Sequence, residues 1–459
     1  MVGSASFLSH GFVHHNFPQT QNLISHNYNP KLKVIKCALT KQGNRFLTSI
    51  SSSTLSYSID PSPTHRLIHK FVSTSSKSVS LTTLNHLISP RSAHSRLFFI
   101  VLPLYMKITQ VSWFSWNSKL VASVIAFLYK QGQIEQAELL IAENISSFCS
   151  KERDLVAFYC NLIDSHAKLK SENGFCNTLA HLKEIASKST STYVRKRAYA
   201  AMVGGLCVMG RPHEARNLIA EMKQMGIRPS VFEFRSIVEG YGRIALFDEM
   251  LQSLSDMEKN GFALDMISLN MVLLSYGLHN ELPRMVWWLQ KAKGLGIRLS
   301  VRTYNSVLNS CPTVISLLRD IKTVPVSLHE LIRVLEGGEG LLVQELAQSL
   351  LVDEIIAWDR FESKLDMHGM HLSTSYIIML QWMEALRKRF TSGEYEVPAE
   401  ITVVCGMGKR SSVRGESPVK TLVKEIVVRT RSPLRVDRKN IGCFVAKGRS
   451  VKEWLCINQ

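Results

Sequence analysis

Apolar residues in the middle of the chain recur at helical spacing, and the whole pattern repeats every 35 residues. Each unit holds two amphipathic segments, such as AYAAMVGGLCVMG followed by RPHEARNLIAEMKQMG, which predict a pair of helices that ends at a glycine. One pair cannot bury its apolar face alone, so the pattern predicts stacked pairs that form an α-solenoid. The regular units are residues 196–230, 231–265 and 266–300.

Less regular patterns flank these units. Residues 111–195 have the spacing of degenerate helix pairs, and residues 301–363 begin a fourth unit that breaks at Pro312 and continues as a helical spacer. Residues 38–110 are rich in serine and show no clear period, so we predict a poorly ordered linker there.

The pattern changes again in residues 364–456, where short alternating segments and two amphipathic helices follow one another. Their order, β-α-β-α-β-β, predicts a small α/β sandwich. The first strand ends in LDMHG and the second in CGMGKR. Because the carboxyl ends of parallel strands share one edge of a sheet, we expect the two loops to lie side by side.

These two loops hold the residues with candidate chemistry. On a strand, Asp366 and His368 point to the same side, which suits an acid–base pair near neutral pH. The alternative is structural, since the two side chains can also hydrogen-bond to stabilise the strand end. Phosphate could be held by the second loop through its backbone N–H groups and its cations. The residues of this predicted phosphate loop are Gly406, Gly408, Lys409, Arg410 and Arg414.

Charge and composition add a targeting signal. The formal net charge is +18, and the excess lies at the two ends of the chain, which suggests a polyanionic partner. Residues 1–59 contain no Asp or Glu and are rich in Ser, Thr, Asn and His. This composition predicts a transit peptide over residues 1–37. Mitochondrial presequences tend to be Arg-rich, whereas the first arginine here is Arg45, so a plastid is favoured over a mitochondrion. The sequence IKCA near the end of this segment resembles a stromal processing site.

Other classes of site and location receive no support from the sequence. The nine cysteines stand singly, without a CxxC pair or zinc-type spacing, which favours free thiols in a reducing compartment. No apolar run approaches the roughly 18 residues that a membrane span needs, so we expect no membrane partner.

The 35-residue period and the segment MGRPHEARNLIAEMKQMGIRPS resemble the pentatricopeptide repeat (PPR) family. The resemblance implies binding of single-stranded RNA at about one base per repeat, recognised by the fifth and last residues of each unit. The implied RNA-binding residues are Ala200 with Ser230, Arg235 with Asp265, Asn270 with Ser300, and Asn305 of the broken fourth unit. A helical scaffold for protein partners remains the alternative.

The LDMHG strand end and the CGMG loop together resemble the small MutS-related (SMR) domain, over residues 364–456. Cys405 departs from that family, which commonly has threonine there. The predicted fold is thus an α-solenoid of PPR repeats followed by a small SMR-like α/β sandwich. Since some members of that family cleave nucleic acid, Asp366 and His368 become candidate catalytic residues.

Three functional hypotheses follow. The first is an RNA-binding protein of the chloroplast, alternatively of the mitochondrion, that acts in RNA processing or plastid gene expression, with organellar transcription or translation machinery as a further partner. The second is an RNA endonuclease that uses Asp366 and His368. The third is the protein scaffold. No cofactor is implied by the first and third, whereas a nuclease could use a divalent metal such as Mg²⁺.

Overall fold

The computed structural model describes residues 39–55, 62–89, 94–146, 151–349, 351, 355–358, 362–391, 397–408 and 417–457. The predicted transit peptide, residues 1–37, lies outside these ranges. Within them, no helix is both long and apolar enough to cross a lipid bilayer. The helices that precede the first strand are α1 (Lys41–Leu55), α2 (Ser62–Thr74), α3 (Lys77–Ile88), α4 (Val101–Thr109), α5 (Ser118–Lys130), α6 (Ile134–Ser146), α7 (Glu152–Leu169), α8 (Glu172–Lys188), α9 (Thr192–Met209), α10 (Pro212–Gln224), α11 (Val231–Arg243), α12 (Phe247–Lys259), α13 (Met266–Leu278), α14 (Leu282–Gly294), α15 (Val301–Leu308), α16 (Pro312–Leu317), α17 (Leu328–Val334) and α18 (Gly337–Ala347).

The three regular units form consecutive helix pairs, α9 with α10, α11 with α12 and α13 with α14. Each pair is followed by a glycine in the left-handed region, and the φ angles of Gly226, Gly261 and Gly296 are 69°, 87° and 67°. The next amide turns back onto the helix, as when Ile227 N–H donates to the Met222 carbonyl at 2.8 Å. This motif supplies hydrogen-bond donors to carbonyls that a helix end leaves unsatisfied. It explains why a glycine recurs every 35 residues at this point.

The first helices of successive pairs pack side by side in an unbroken row, and we call them the inner helices: α5, α7, α9, α11, α13 and α15. The second helices pack mainly against this row. An apolar column of the 35-residue period is buried between the layers, at Tyr199, Phe234, Leu269 and Tyr304. The helical part is therefore a solenoid in which each pair covers the apolar face of its neighbours.

The linker predicted over residues 38–110 is wrong for its described part. Helices α1 to α4 pack on one another, and α3 and α4 also pack on α5. Phe46 stacks on Phe71 with ring centroids 4.1 Å apart, and Leu47 is fully buried. Several of the serines that suggested disorder donate to a carbonyl of their own helix, as when the Ser51 hydroxyl donates to the Leu47 carbonyl at 2.9 Å. The serine content therefore concealed a helical apolar pattern.

The fourth helix pair is closed by a helix distant in sequence. The Tyr304 hydroxyl in α15 donates to the Leu346 carbonyl in α18 at 2.6 Å, and α18 also packs on α14. Helix α18 is thus the second helix of this pair, and α16 and α17 form an insertion. The helical spacer predicted over residues 301–363 is wrong near its end, which contains the strand β1 (Ile356–Trp358).

Residues 356–457 contain a five-stranded sheet with helices, here called the sheet unit. The strand order is β1-β2-β3-β5-β4, with β2 and β3 parallel and the other neighbours antiparallel. The predicted β-α-β-α-β-β order is present, and β1 and α21 are additional. The elements after β1 are β2 (Glu362–Asp366), α19 (Leu372–Thr391), β3 (Glu400–Val404), α20 (Pro418–Arg429), β4 (Arg435–Val436), β5 (Cys443–Lys447) and α21 (Gly448–Ile457).

The sheet unit packs directly on the end of the helical row, where α19 contacts α15, α17 and α18. The Thr374 hydroxyl donates to Asn305 Oδ1 at 2.6 Å, and Gln381 Nε2 donates to the Leu346 carbonyl at 3.1 Å. The insertion takes part as well, because the Tyr376 hydroxyl donates to the Pro325 carbonyl at 2.7 Å. Helix α19 therefore lies where a further inner helix would continue the row.

Candidate nucleic-acid interface

Four of the predicted RNA-binding residues occupy one equivalent position on successive inner helices. Ala200, Arg235, Asn270 and Asn305 are each 35 residues apart and lie on α9, α11, α13 and α15. Because these helices pack side by side, the four positions follow one another along the row. A single strand laid across the row would meet one of them per repeat.

The last residue of each unit has a structural role as the N-cap of the following inner helix. At α11 the backbone N–H of Ser230 donates to the Glu233 carboxylate at 2.7 Å, and the Ser230 hydroxyl completes a capping box. Ser300 caps α15 and Asp265 caps α13 with their side chains. Helix capping by itself explains a Ser or Asp at this point of every unit.

In the second unit the two predicted residues contact each other. Arg235 Nη2 lies 2.5 Å from Asp265 Oδ2, and Arg235 Nε donates to the Ser268 hydroxyl at 3.2 Å. Partial burial raises the pKa of Asp265. Hydrogen bonds from Ser268 and the Arg235 guanidinium lower it by a larger amount, so the pKa lies below its usual value. A base at this position would meet a preformed ion pair.

The remaining fifth positions differ in exposure. Asn270 is buried, and its amide oxygen accepts no hydrogen bond from the described residues. Asn305 is covered by the sheet unit, whose Thr374 donates to its amide oxygen. Ala200 has no polar side-chain atom and lines an open groove. Nothing in the 35-residue period predicted that the sheet unit packs on Asn305.

Asp366 and His368 form a pair, although only Asp366 lies on the strand. Strand β2 ends at Asp366, and His368 lies in the following turn. Asp366 Oδ1 accepts the His368 backbone N–H at 3.0 Å and lies 2.7 Å from His368 Nδ1. The Asp366 and His368 side chains are 42% and 69% exposed. With Nδ1 held by the carboxylate, Nε2 is the ring nitrogen that can exchange a proton with a ligand.

The predicted phosphate loop meets this pair. Gly406 and Gly408 follow β3 with φ of 76° and 67°, a conformation that favours glycine. A Cβ on Gly406 would lie 3.5 Å from the Cβ of His368, so the two loops lie side by side as expected. The three predicted cations, Lys409, Arg410 and Arg414, lie outside the described residues.

The turn between β4 and β5 belongs to the same edge, which the sequence analysis missed. Cys405 N–H donates to the Gly442 carbonyl at 2.8 Å, and a Cβ on Gly442 would lie 3.1 Å from the carbonyl carbon of Gly406. Three loops therefore meet around Gly406. The available signal was a glycine placed directly before the last strand, in the sequence KNIGCF.

Cys405 begins the glycine loop with its side chain buried. Burial raises the pKa of the Cys405 thiol to about 12, so the thiol is protonated at neutral pH. It is therefore suited neither to nucleophilic attack nor to metal binding there.

The donor set does not fit a divalent metal held by the protein alone. Among the described residues, no group of three or more His, Cys, Asp or Glu side chains could hold a metal ion. Mg²⁺ takes oxygen ligands in octahedral geometry. Asp366 offers one carboxylate, and its Oδ1 already contacts His368.

Comparison with known proteins gives two kinds of match. The model of the PPR repeat family matches residues 197–227. A pentatricopeptide repeat-containing protein of Arabidopsis thaliana is 50% identical to this chain over 442 residues, which are 95% of this chain and 87% of the relative.

Among solved structures, the crystal structure of the pentatricopeptide repeat protein PPR10 from maize aligns with 85% of this chain and 60% of its own, at 12% identity and a TM-score of 0.33. The structure of PPR10 in complex with an 18-nucleotide psaJ RNA element aligns with 67% of this chain and 49% of its own, at 14% identity and a TM-score of 0.26.

Proposed function

The chain belongs to the pentatricopeptide repeat family, and from this we propose that it binds single-stranded RNA in an organelle and acts in RNA processing or plastid gene expression. The observation that carries the proposal is the unbroken row of inner helices, along which residues 35 positions apart follow one another. Such a row offers equivalent contacts to successive bases of an extended strand. The basic excess at both ends of the chain supports a polyanionic partner.

In this proposal the sheet unit is an SMR-like domain that adds affinity. Its support is the meeting of the LDMHG turn and the CGMG loop at one sheet edge, where Gly406 lies against His368. Residues 401–459 carry 13 Lys and Arg against four acids, which suits contact with a phosphate backbone.

The proposed location is the chloroplast, with the mitochondrion as the alternative, and it rests on the acid-free, Ser-rich composition of residues 1–59. Organellar transcription or translation machinery would then be a further partner. Fusion of residues 1–59 to a fluorescent protein tests the location. A diffuse cytosolic signal would contradict it.

The RNA-binding proposal is tested by measuring the affinity of the full chain for a single-stranded RNA pool across a salt series. We expect log K to fall linearly with log salt, with a slope of about −0.7 for each phosphate neutralised. An RNA duplex of the same composition should bind more weakly. Absence of binding, or an affinity independent of salt, would remove this function and favour the protein scaffold.

A second function, RNA endonuclease, is favoured by the 2.7 Å contact between Asp366 Oδ1 and His368 Nδ1 at an exposed edge. We propose that His368 Nε2 takes the proton of a ribose 2′-hydroxyl, whose oxygen forms a bond to the adjacent phosphorus. The bond from phosphorus to the 5′-oxygen breaks, and that oxygen takes a proton from water. Asp366 is the positioning residue that orients the imidazole.

This second function predicts products with a 2′,3′-cyclic phosphate and a 5′-hydroxyl. His368→Ala should abolish cleavage and keep RNA binding, and Asp366→Asn should slow cleavage and shift its pH profile. His329→Ala, at an exposed histidine of α17, is the matched control. Unchanged cleavage in His368→Ala, or none in the wild type, would assign the pair to stabilising the strand end.

A further inference from the structure

Helix α4 and the short 3-10 helix that leads into it, Ser95–Ile100, are apolar on both sides. One side packs on the neighbouring helices, and its buried residues in α4 are Val101, Leu104, Tyr105 and Ile108. The residues between them are apolar as well, because residues 97–106 include no charged or amide side chain. A surface helix ordinarily carries polar residues opposite its buried side, so α4 lacks the pattern of a helix that faces water.

The other side of α4 presents apolar side chains to solvent. Phe99, Leu102, Pro103 and Met106 recur at helical spacing, which places them on one side, and the Phe98 ring meets the Phe99 ring edge to face with centroids 6.2 Å apart. Phe98, Phe99 and Met106 are 38%, 37% and 41% exposed, and Leu102 and Pro103 are half-buried. We call these five residues the apolar face of α4. A contiguous exposed apolar surface of this kind marks an interaction site.

Cations bracket the apolar face of α4. Arg96, which precedes it along the chain, is exposed, and Lys107, which follows it, is half-buried with its ammonium group donating to Gln110 Oε1 at 3.0 Å. Acids are almost lacking from this part of the sequence, since Asp60 is the only acidic residue among the first 134. The helices around the apolar face therefore carry positive charge that no neighbouring carboxylate balances.

The spacing of cations in α1 and α2 shows that this charge imbalance weakens the helices themselves. Each helix exposes two cations four residues apart, Lys41 with Arg45 and Arg66 with Lys70. Like charges at this spacing destabilise a helix slightly. In the degenerate repeats a cation at the same spacing pairs with an acid instead, as Lys168 does with Asp164. The first helices thus retain a repulsion that an anionic partner would relieve.

An anionic lipid bilayer is the partner whose chemistry meets both features. Apolar side chains of a peripheral helix enter the boundary between headgroups and acyl chains, while cations contact the lipid phosphates. A second copy of this chain would bring like charges together. RNA carries the required charge, but the aliphatic part of the apolar face, Leu102, Pro103 and Met106, offers no planar surface on which a base stacks.

We propose that the apolar face of α4 binds peripherally to an anionic lipid bilayer. Phe98, Phe99 and Met106 enter the boundary between headgroups and acyl chains, Arg96 and Lys107 contact the headgroups, and the charge of α1 and α2 attracts the surface. The expectation of no membrane partner rested on the lack of a span alone, and a peripheral contact needs none. The row of inner helices begins at α5, so this contact lies outside the row that is proposed to bind RNA.

Flotation of the full chain with vesicles tests the proposal. We expect binding to vesicles that contain phosphatidylglycerol, weakening as salt rises, and little binding to phosphatidylcholine alone. Phe99→Ser should weaken binding by about tenfold, whereas Phe232→Ser, at a ring of α11 that is 54% exposed, should leave it unchanged. Arg96→Gln should weaken it by about fivefold, and its control is Arg228→Gln, at an exposed arginine before α11. All four variants should keep the melting temperature of the wild type.

A variant that gains affinity keeps the test independent of folding defects. Met106→Trp should bind phosphatidylglycerol vesicles more tightly, because tryptophan favours the membrane interface, and its added fluorescence should shift to shorter wavelength and be quenched by brominated acyl chains. No binding by the wild type, equal binding to phosphatidylcholine, or equal binding by Phe99→Ser would overturn the proposal. If Phe99→Ser lost RNA affinity and kept vesicle binding, the face would be an RNA contact instead. RNA binding without vesicle binding would remove this inference and leave the proposed function standing.

Discussion

The regular repeats and the sheet unit use glycine for different purposes. In the repeats, an added Cβ on Gly226, Gly261 or Gly296 would meet nothing within 4 Å, and each glycine serves only the left-handed turn that follows a helix. In the sheet unit, Gly406 and Gly442 lie against neighbouring loops. A glycine that recurs every 35 residues therefore indicates the end of a helix pair, whereas glycines that pack against neighbouring loops indicate a candidate functional site.

The two regions also differ in how far a contact reaches along the chain. Inner helices pack on their immediate neighbours, so stability in the row should be a sum of local terms. In the sheet unit, β3 lies between β2 and β5, and the strands depend on one another. A destabilising substitution should thus affect only neighbouring helices in the repeats, but every strand in the sheet unit.

The largest effect is expected from truncating the sheet core. Phe444 is 2% exposed and lies opposite Val403 and Val436, and Phe444→Ala should cost about 3–5 kcal/mol of unfolding free energy. Hydrogen exchange should then rise in every strand of the sheet unit. The matched change in the row is Tyr241→Ala in α11, whose effect should fade beyond α9 and α13. If hydrogen exchange rose over an equally wide region in both variants, the proposed difference between the repeats and the sheet unit would be wrong.

Acid should weaken the helical row through one buried histidine. His166 in α7 is fully buried, and neither ring nitrogen has a hydrogen-bond partner among the described residues. Burial lowers the pKa of His166 to about 4. The unfolded chain then binds the proton more readily, so stability is fully present above pH 6.5 and falls as the pH drops towards 4, by about 3 kcal/mol.

His166→Phe should flatten this part of the stability profile, measured by denaturant titration between pH 4 and 7. His329→Gln, at an exposed histidine, should leave the profile unchanged. A profile of equal slope in His166→Phe would mean that other groups carry the pH dependence.

A smaller effect is expected at the junction of the two regions. The Tyr304 hydroxyl contacts the Leu346 carbonyl, Ser349 and Gln381, so Tyr304→Phe should cost about 1–2 kcal/mol. It should also separate one unfolding transition into two, because the hydroxyl joins α15 to both α18 and α19. Tyr193→Phe, at an exposed tyrosine of α9, is the control. A single transition in Tyr304→Phe would show that other contacts couple the regions.

The smallest change tests whether the repeats are equivalent. Ala in place of Gly226, Gly261 or Gly296 forces a side chain into left-handed backbone, at a cost of about 1 kcal/mol each. The three losses should be equal in thermal melts and should leave RNA affinity unchanged. Gly406→Ala, at a similar φ but against His368, should alter the site as well as stability.

The sequence predicted what depends on period and on neighbouring residues. The recurring glycines located the ends of the regular helix pairs. The order of helices and strands along the chain from β2 to β5 followed from alternation and turn residues. Contact between Gly406 and His368 followed from the general rule for parallel strands.

Features that depend on distant partners escaped prediction. Nothing near Tyr304 indicates that its second helix lies beyond an insertion, and nothing near Asn305 indicates Thr374. Strand β1 pairs with β2, and its short apolar sequence resembles the helix before it. Helices α1 to α4 were missed because their serine content outweighed a short apolar pattern around Phe46 and Leu47.

The late closure of the fourth pair has a consequence for synthesis of the chain. Each regular repeat can fold against the repeat before it as it leaves the ribosome, but Tyr304 is synthesised 42 residues before Leu346 and 77 before Gln381. At about 5–20 residues per second, α15 waits roughly 2–8 s for its partner, with its apolar face uncovered. The nascent chain should then be a client for chaperones at this stage, and protease protection of ribosome-arrested chains of increasing length would reveal when Tyr304 becomes buried.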